Sequence, residues 1–479
     1  MPSDSEPQKK LTARQRFRAR RRYLRVFRQR LAFWVGALLV GLVALAFAWL
    51  ADEANVYFQK MLNHSSYWPW LVTPLGFAAL AWATQGWFSN AKGSGIPQVI
   101  ATLERPSSRF RNRVLSLPIA AVKMVLSVAG LLVGASIGRE GPTVHVGAAL
   151  MYTFGRRLGL QARSAGSGLI IAGGAAGIAA AFNTPLAGVV FAIEELSHRF
   201  EQSLNGLVLT AVLIGGMVTL GLMGHYSYFG QLSAELPLSR DWLAVLVCGV
   251  VGGLAGGLYC RLVLPAKLGP LALMAAWRAK HPVIFAGICG LIMALLGLIS
   301  GQHIFGTGYA ETRAILEGQP VTDGSFIIWK FLANVVSYLA GIPGGLFSPS
   351  LAVGASIAPW ITDWIPGIGL QAAGLIGMAA YLAGVTRTPL TATVITIELS
   401  HSQDMALPIL AASLLASAIS GRISPVPLYR ALALQVLDVE RESIASKRSK
   451  RQQESADAAA RVQAEQVEQA PESGKPGQS

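Results

Sequence analysis

Gly138-Arg139-Glu140-Gly141-Pro142 places a carboxylate directly after fifteen uncharged residues, Met124 to Gly138. Pro142 suits the first turn of a helix, where its missing N–H costs nothing. A helix is therefore expected to begin at about Glu140. In an apolar setting such a helix start presents unpaired N–H groups and the positive end of the helix dipole, which together make an anion site. Glu140 can fill that site itself or vacate it for another anion, which is the logic of a gate.

The surrounding chain is that apolar setting. Its 479 residues are 52% hydrophobic and 14% charged, with 51 glycines, and the mean hydropathy is +0.47. This composition reads as a multi-pass integral membrane protein, with the lipid bilayer as solvent. Uncharged runs such as 124–138 and 388–397 fall short of the roughly 20 residues a helix needs to cross about 30 Å of hydrocarbon. Gly and Pro interrupt them, so discontinuous helices are expected, buried in protein or lining a cavity.

The formal charge of +15 is concentrated, with eleven Lys or Arg and no acid in residues 9–30. By the positive-inside tendency this places the N-terminus in the cytoplasm, and the Lys447–Arg451 cluster places the C-terminus there too. A nucleic-acid-binding arm fits poorly, because the run abuts a membrane span, 31–50, and holds only Phe17, Tyr23 and Phe27 as aromatics. Cys248, Cys260 and Cys289 lack paired spacing, so neither a metal nor a disulfide is read from them, and no cofactor is implied.

Gly93-Ser94-Gly95-Ile96-Pro97 is a second turn opening onto a helix start, where Ser94 can cap the helix or donate its hydroxyl to an anion. Lys123 follows as either a source of positive field or a snorkelling side chain. Farther on, Glu194-Glu195 closes an apolar stretch, and adjacent helical residues point about 100° apart, so only one of the pair can face inward.

An internal repeat separates the two. Gly138-x-Glu140-x-Pro142-x-x-x-Val146-Gly147-Ala148 is echoed by Gly345-x-Phe347-x-Pro349-x-x-x-Val353-Gly354-Ala355. Thr184-Pro185-Leu186 precedes Ile193-Glu194 by the same spacing as Thr388-Pro389-Leu390 precedes Ile397-Glu398. The expected organisation is a basic cytoplasmic segment 1–30, membrane repeats 31–235 and 236–435, and a cytoplasmic tail 436–479 that is disordered or frayed helix. Glu194 has Glu398 as its counterpart and reads as structural, whereas Glu195 is matched by Leu399 and reads as functional. Duplicated bundles with interrupted helices place their substrate site at the repeat interface.

Gly93-Ser94-Gly95-Ile96-Pro97, Gly138-Arg139-Glu140-Gly141-Pro142 and Gly344-Gly345-Leu346-Phe347-Ser348-Pro349 together resemble the three anion-site signatures of the CLC chloride channels and chloride/proton antiporters, in that family's order, bacterial antiporters included. The resemblance covers about residues 31–435. It implies an all-α membrane protein, an inverted-repeat bundle of many tilted and discontinuous helices, working as a homodimer with one ion pathway per subunit. It also implies that chloride is bound by Ser94, the backbone amides of Leu346 and Phe347, and the hydroxyl of Tyr429. Glu140 resembles the external gating glutamate and Glu195 the internal proton-transfer glutamate. Some bacterial members carry an acid where this chain has Ile100, and the part that acid plays is not carried over. Fifty residues follow Tyr429, too few for the paired regulatory domains of eukaryotic members, so none are expected.

The expected function is secondary active exchange of chloride for protons across a bacterial inner membrane. Neutral dipoles bind chloride without trapping it, whereas a full Lys or Arg contact at low dielectric would hold it too tightly for turnover. A passive chloride channel on the same fold is the alternative, disfavoured by the acid at Glu195. An intramembrane enzyme lacks its motifs, with no His-Glu-x-x-His and no Gly-x-Ser-x-Gly.

Overall fold

The computed structural model describes residues 13–160, 163–197, 206–224, 228–230, 232, 234–236, 240–264, 269–319 and 324–468. Nearly all of this is helix. The first half carries α1 (Ala13–His64), α2 (Pro69–Ala83), α3 (Ile96–Glu104), α4 (Ser108–Val114), α5 (Leu117–Leu132), α6 (Glu140–Arg157), α7 (Arg163–Phe182), α8 (Pro185–Phe191) and α9 (Gly206–Met223). The second carries α10 (Leu243–Val263), α11 (Pro270–Lys280), α12 (Pro282–Ile299), α13 (Tyr309–Leu316), α14 (Phe326–Leu339), α15 (Phe347–Ala355), α16 (Ala358–Trp364), α17 (Leu370–Thr386), α18 (Pro389–Ser400), α19 (Ala406–Ile423) and α20 (Leu428–Glu468).

By length and composition 6 helices among the described residues could cross a membrane, and others, such as Leu370–Thr386 and Pro389–Ser400, are apolar but shorter. Proline sets many of the helix starts. It stands in the first turn of α2, α3, α5, α8, α12 and α18, where the missing N–H would be unpaired anyway. The helix expected at about Glu140 begins there, as α6.

Reciprocal contacts show how the two halves fit. The backbones of Gly138 and Gly345 form an antiparallel bridge, with N···O distances of 2.7 and 2.6 Å. Glu194 reaches across to the first turn of α18, accepting from the N–H groups of Leu390 (3.2 Å) and Thr391 (2.7 Å) and from the Thr391 hydroxyl (2.7 Å). Glu398 returns the contact on α8, accepting from the N–H groups of Leu186 (3.1 Å) and Ala187 (2.7 Å). Each repeat thus supplies the carboxylate that caps the proline-started helix of the other.

Close helix crossings follow the same symmetry. A Cβ on Gly147 of α6 would run into the carbonyl of Gly173 in α7, and one on Gly377 of α17 into the carbonyl of Gly354 in α15. Glycine is what lets those backbones touch, the usual basis of tight helix packing in lipid. The Val-Gly-Ala element shared by the repeats is therefore a packing signal.

One sequence expectation is corrected. Residues 436–468 continue α20 without a break rather than forming a disordered or frayed tail, and residues 469–479 lie outside the described residues. Ala, Glu, Gln, Lys and Arg dominate that stretch, and all are strong helix formers. Its first turns also dock on the body, with Leu437 and Glu440 buried and Glu440 ion-paired to Arg113 of α4.

Glu194→Ala and Glu398→Ala should each strip the acceptor from two helix-start N–H groups and cost about 1–3 kcal/mol. Thermal unfolding of the purified protein, followed by tryptophan fluorescence, should show a lower midpoint for both. An unchanged midpoint for either would mean that its cap is dispensable.

Candidate functional site

The Gly138–Gly345 bridge brings the start of α6 against the start of α15. Glu140, the first residue of α6, is 1% exposed. Its carboxylate turns back over Gly138, where any Cβ would overlap Oε2, so glycine is required at 138 for this pose. Oε1 accepts a hydrogen bond from the Ser348 hydroxyl on α15. The backbone N–H groups of Glu140 and Ser348 also act on the carboxylate. Glu140 therefore sits on the N-termini of two helices at once, the position an anion would take.

Arg139, next to it, is buried and directed elsewhere. It pairs with Asp52 at 2.7 Å, donates to the Ala48 carbonyl at 2.8 Å, and lies 6.0 Å from the centre of the Tyr228 ring.

Ser94 and Tyr429 complete the same place from other elements. Both Gly93 and Gly95 have positive φ, 67° and 105°, which glycine adopts without strain. They turn the chain so that the Ser94 hydroxyl lies against Gly141 in the first turn of α6. Ser94 is 1% exposed and its Oγ has no protein hydrogen-bond partner. The Tyr429 hydroxyl, on α20, is also buried without a partner and lies close to Ser94. A buried hydroxyl normally has a partner, so two orphans side by side mark a binding position. The Tyr429 ring stacks on Phe347 at 6.1 Å and 15°. Leu346 and Phe347, the cap and first residue of α15, are both buried. Their N–H groups stand at a helix start, where no intrahelical acceptor exists.

Glu195 stands apart from this cluster. It lies in a π-helical turn, Ala192–Ser197, that continues α8, a wider turn found often at functional sites. There Glu194 points to α18 while Glu195 is buried, 4% exposed. It lies within electrostatic reach of Tyr429. Phe191, at the end of α8, and Phe182 pack edge-on against Phe347 at 6.2 and 6.3 Å.

Several residues of the site escape a sequence reading. Ser348 occupies a position where the repeat has Gly141, and nothing in sequence links it to Glu140. Lys123 neither snorkels nor faces the anion position. It is buried, and its Nζ donates to the carbonyls of Lys92 (3.3 Å) and Gly93 (3.0 Å). Lys330 does the same in the second half, on the carbonyls of Ile304 (2.8 Å) and Gly306 (3.0 Å). The loop it clasps, Gly306-Thr307-Gly308-Tyr309, is the counterpart of Gly93-Ser94-Gly95-Ile96, and each opens a helix. That Gly-x-Gly echo was the available signal. Ser136 and Asn334 add a tie between the halves. Ser136 Oγ bonds Asn334 Oδ1 at 2.7 Å, and Asn334 Nδ2 donates to the Pro349 carbonyl at 3.0 Å.

Helix starts meeting at a bridge between two repeats, with orphaned hydroxyls and a buried carboxylate, define a multi-pass membrane protein of the ion-translocating class. The chain belongs to the family described as voltage gated chloride channel, whose profile matches residues 75–421. It is similar to the H(+)/Cl(-) exchange transporter ClcA of Cronobacter sakazakii, at 30% identity over 443 residues, covering 86% of this chain and 91% of that protein. The Yersinia pestis protein of the same name is 29% identical over 441 residues, covering 86% and 88%. Among solved structures, a slow cyanobacterial Cl-/H+ antiporter matches with a TM-score of 0.73 at 23% identity, over 86% of this chain and 98% of that one. A CLC-type fluoride/proton antiporter matches at 0.67 and 22% identity, over 84% and 97%. These likenesses establish the fold as an inverted-repeat CLC bundle.

The Lys123 clasp can be tested directly. Lys123→Met should leave two loop carbonyls unpaired, at about 1–3 kcal/mol for a buried group. Amide hydrogen exchange should quicken across the loop at 92–97 with little change in α12. Unaltered exchange in that loop would show that the clasp does not hold it.

Proposed function

We propose that this protein exchanges chloride for protons across the membrane, with Glu140 as gate and proton carrier and Glu195 as the internal proton station. The observation that carries this reading is the seat of the Glu140 carboxylate at the start of α15, beside the orphaned hydroxyls of Ser94 and Tyr429. A carboxylate seated there and a chloride ion bound beside it both draw on the start of α15, so each disfavours the other. Protonation removes the charge on Glu140 and with it the claim on that helix start, so proton uptake and chloride entry are linked through one side chain. The two relatives named for H(+)/Cl(-) exchange support the same reading.

In this account Ser94, Tyr429 and the amides of Leu346 and Phe347 hold the ion through dipoles alone. Lys123 is kept from it by the backbone carbonyls of Lys92 and Gly93, and Arg139 by Asp52. Chloride can then be bound without being trapped. Ser348 steadies the gate in its seated position. Glu195, buried near Tyr429 and apart from Glu140, gives protons a route that leaves the anion path. Both termini are cytoplasmic, so the face bearing Arg105, Arg109 and Arg113 is the inner one.

Chloride-driven proton uptake and chloride efflux, read on the same liposomes, test the assignments. Glu140→Gln and Glu195→Gln should each abolish proton uptake while chloride still moves. Ser348→Ala should raise chloride turnover by about tenfold or more, since a hydrogen bond to a charged group is worth about 1.5–3 kcal/mol, and Ser348→Thr should restore the wild-type rate. Proton uptake that survives Glu195→Gln would remove the internal station. Wild-type protein that moves chloride with no proton uptake would make the passive channel the correct reading.

The pathway is proposed to work in a homodimer with one path per subunit. Exposed apolar side chains on neighbouring helices support this, with Leu186 on α8, Leu390 on α18, Leu407 on α19 and Met217 on α9 all facing outward. Light scattering corrected for bound detergent should give twice the chain mass, and a monomer would refute the assignment.

A further inference from the structure

A cavity of about 530 Å³ opens beside Ser94, on the face that bears the basic α3–α4 loop. A water molecule's share of liquid volume is about 30 Å³, so this space is an order of magnitude larger than a single chloride needs. Its charged lining is one-sided. Lys92, Arg113 and Arg278 face it, and Glu440 of α20 is its one carboxylate among the described residues. Glu440 is committed to Arg113. Lys92 and Arg278 have no carboxylate partner among the described residues.

Both cations are held in place. The Lys92 carbonyl accepts from Gln98 Nε2 at 2.7 Å and from Lys123, which fixes the backbone from which the side chain springs. The side chain itself lies over Gly341, where a Cβ would come within 2.8 Å of Cε. Arg278 is steadied by the Leu339 carbonyl at 3.4 Å. The two are near enough to repel each other, and one monovalent ion would offset only one of the two charges and leave most of the cavity empty. An anion with several charged oxygens can, because Arg binds such oxygens in a planar fork and Lys as a point charge.

We propose that this cavity binds a multivalent phosphate-type oxyanion, free or carried on a nucleotide, between Lys92 and Arg278, and that the bound anion obstructs passage between solution and Ser94. The wall formed by α20 completes the site, with Leu432, Val436 and Val439 along one helix face and the Glu440–Arg113 pair closing its rim. The binding stands independently of the transport mechanism. The obstruction rests on the proposed chloride path.

Isothermal titration of the full-length protein in detergent, at low ionic strength, would use inorganic pyrophosphate in one arm and ATP in the other. Saturable binding is expected. Lys92→Gln and Arg278→Gln should each weaken it by about tenfold or more, the worth of one charge-assisted hydrogen bond, while Lys92→Arg retains it. Pyrophosphate alone binding identifies a free oxyanion, and equal binding of both identifies the phosphate group as what is recognised. No saturable binding of either, or binding indifferent to both Gln substitutions in proteins of unchanged thermal stability, overturns the site. Pyrophosphate should also slow chloride efflux from liposomes when present on both sides. Binding without slower efflux, in liposomes where efflux itself is normal, overturns the obstruction.

Discussion

A helix that starts inside a membrane leaves N–H groups with nothing to bond, and lipid cannot supply the acceptor. This protein starts helices at Ile96, Glu140, Pro185, Tyr309, Phe347 and Pro389, and the answer given to each start organises the fold. At α8 and α18 the answer is permanent, a carboxylate sent across from the other repeat. At α6 and α15 the acceptor is Glu140, and under the proposed exchange that answer is conditional, because the side chain would lose its charge or leave. Scaffold and site are two solutions to one problem. They differ in whether the acceptor is held by the rest of the structure.

What fixes the frame is also what repeats. Gly138 and Gly345 bond one another, Glu194 and Glu398 exchange caps, and Lys123 and Lys330 each clasp the loop before a Gly-x-Gly turn. Gly147 against Gly173 and Gly354 against Gly377 set the same helix crossing twice. Each of these is a backbone requirement, for close approach or for pairing of exposed polar groups, so both halves must meet it. The positions that differ are those bearing the proposed transport chemistry. Glu140 is matched by Phe347, Glu195 by Leu399, Ser94 by Thr307. Two-fold symmetry builds the meeting place, and departures from it furnish that place with one carboxylate rather than two.

This division also explains how much could be read from sequence. Broken helices were legible from short uncharged runs punctuated by Gly and Pro, because propensity and the missing proline N–H are local properties. The helix starts that carry Glu140 and Ser94 were legible because such starts have their own signature in a few consecutive residues, whereas the Leu346 and Phe347 amides and Tyr429 came only with the family resemblance. Ser348 was not, since its meaning depends on a carboxylate 208 residues away. The Lys123 clasp was misread for a related reason. A lysine beside an apolar run normally extends its charge to water, and only the folded loop offers the two carbonyls that make burial tolerable. The tail was left between disorder and frayed helix on its Ala/Gln/Glu-rich composition and mixed charge. Its mixed, polar composition suits disorder and helix equally, and the docking of Leu437 and Glu440 decides between them.

The position of α20 ties these threads together. Its first turn delivers Tyr429 to the orphaned hydroxyl of Ser94, and its next turns wall the cavity through which that hydroxyl is approached. A single helix therefore touches the innermost and outermost parts of the proposed path. Displacing it to widen the mouth would also withdraw the Tyr429 hydroxyl and unstack its ring from Phe347. Access from that face is thus better altered by what occupies the cavity than by moving its wall. The uncompensated cations at the mouth and the neutral dipoles within follow the same rule. Positive charge draws anions in where water still screens it, and is kept from direct contact where screening ends.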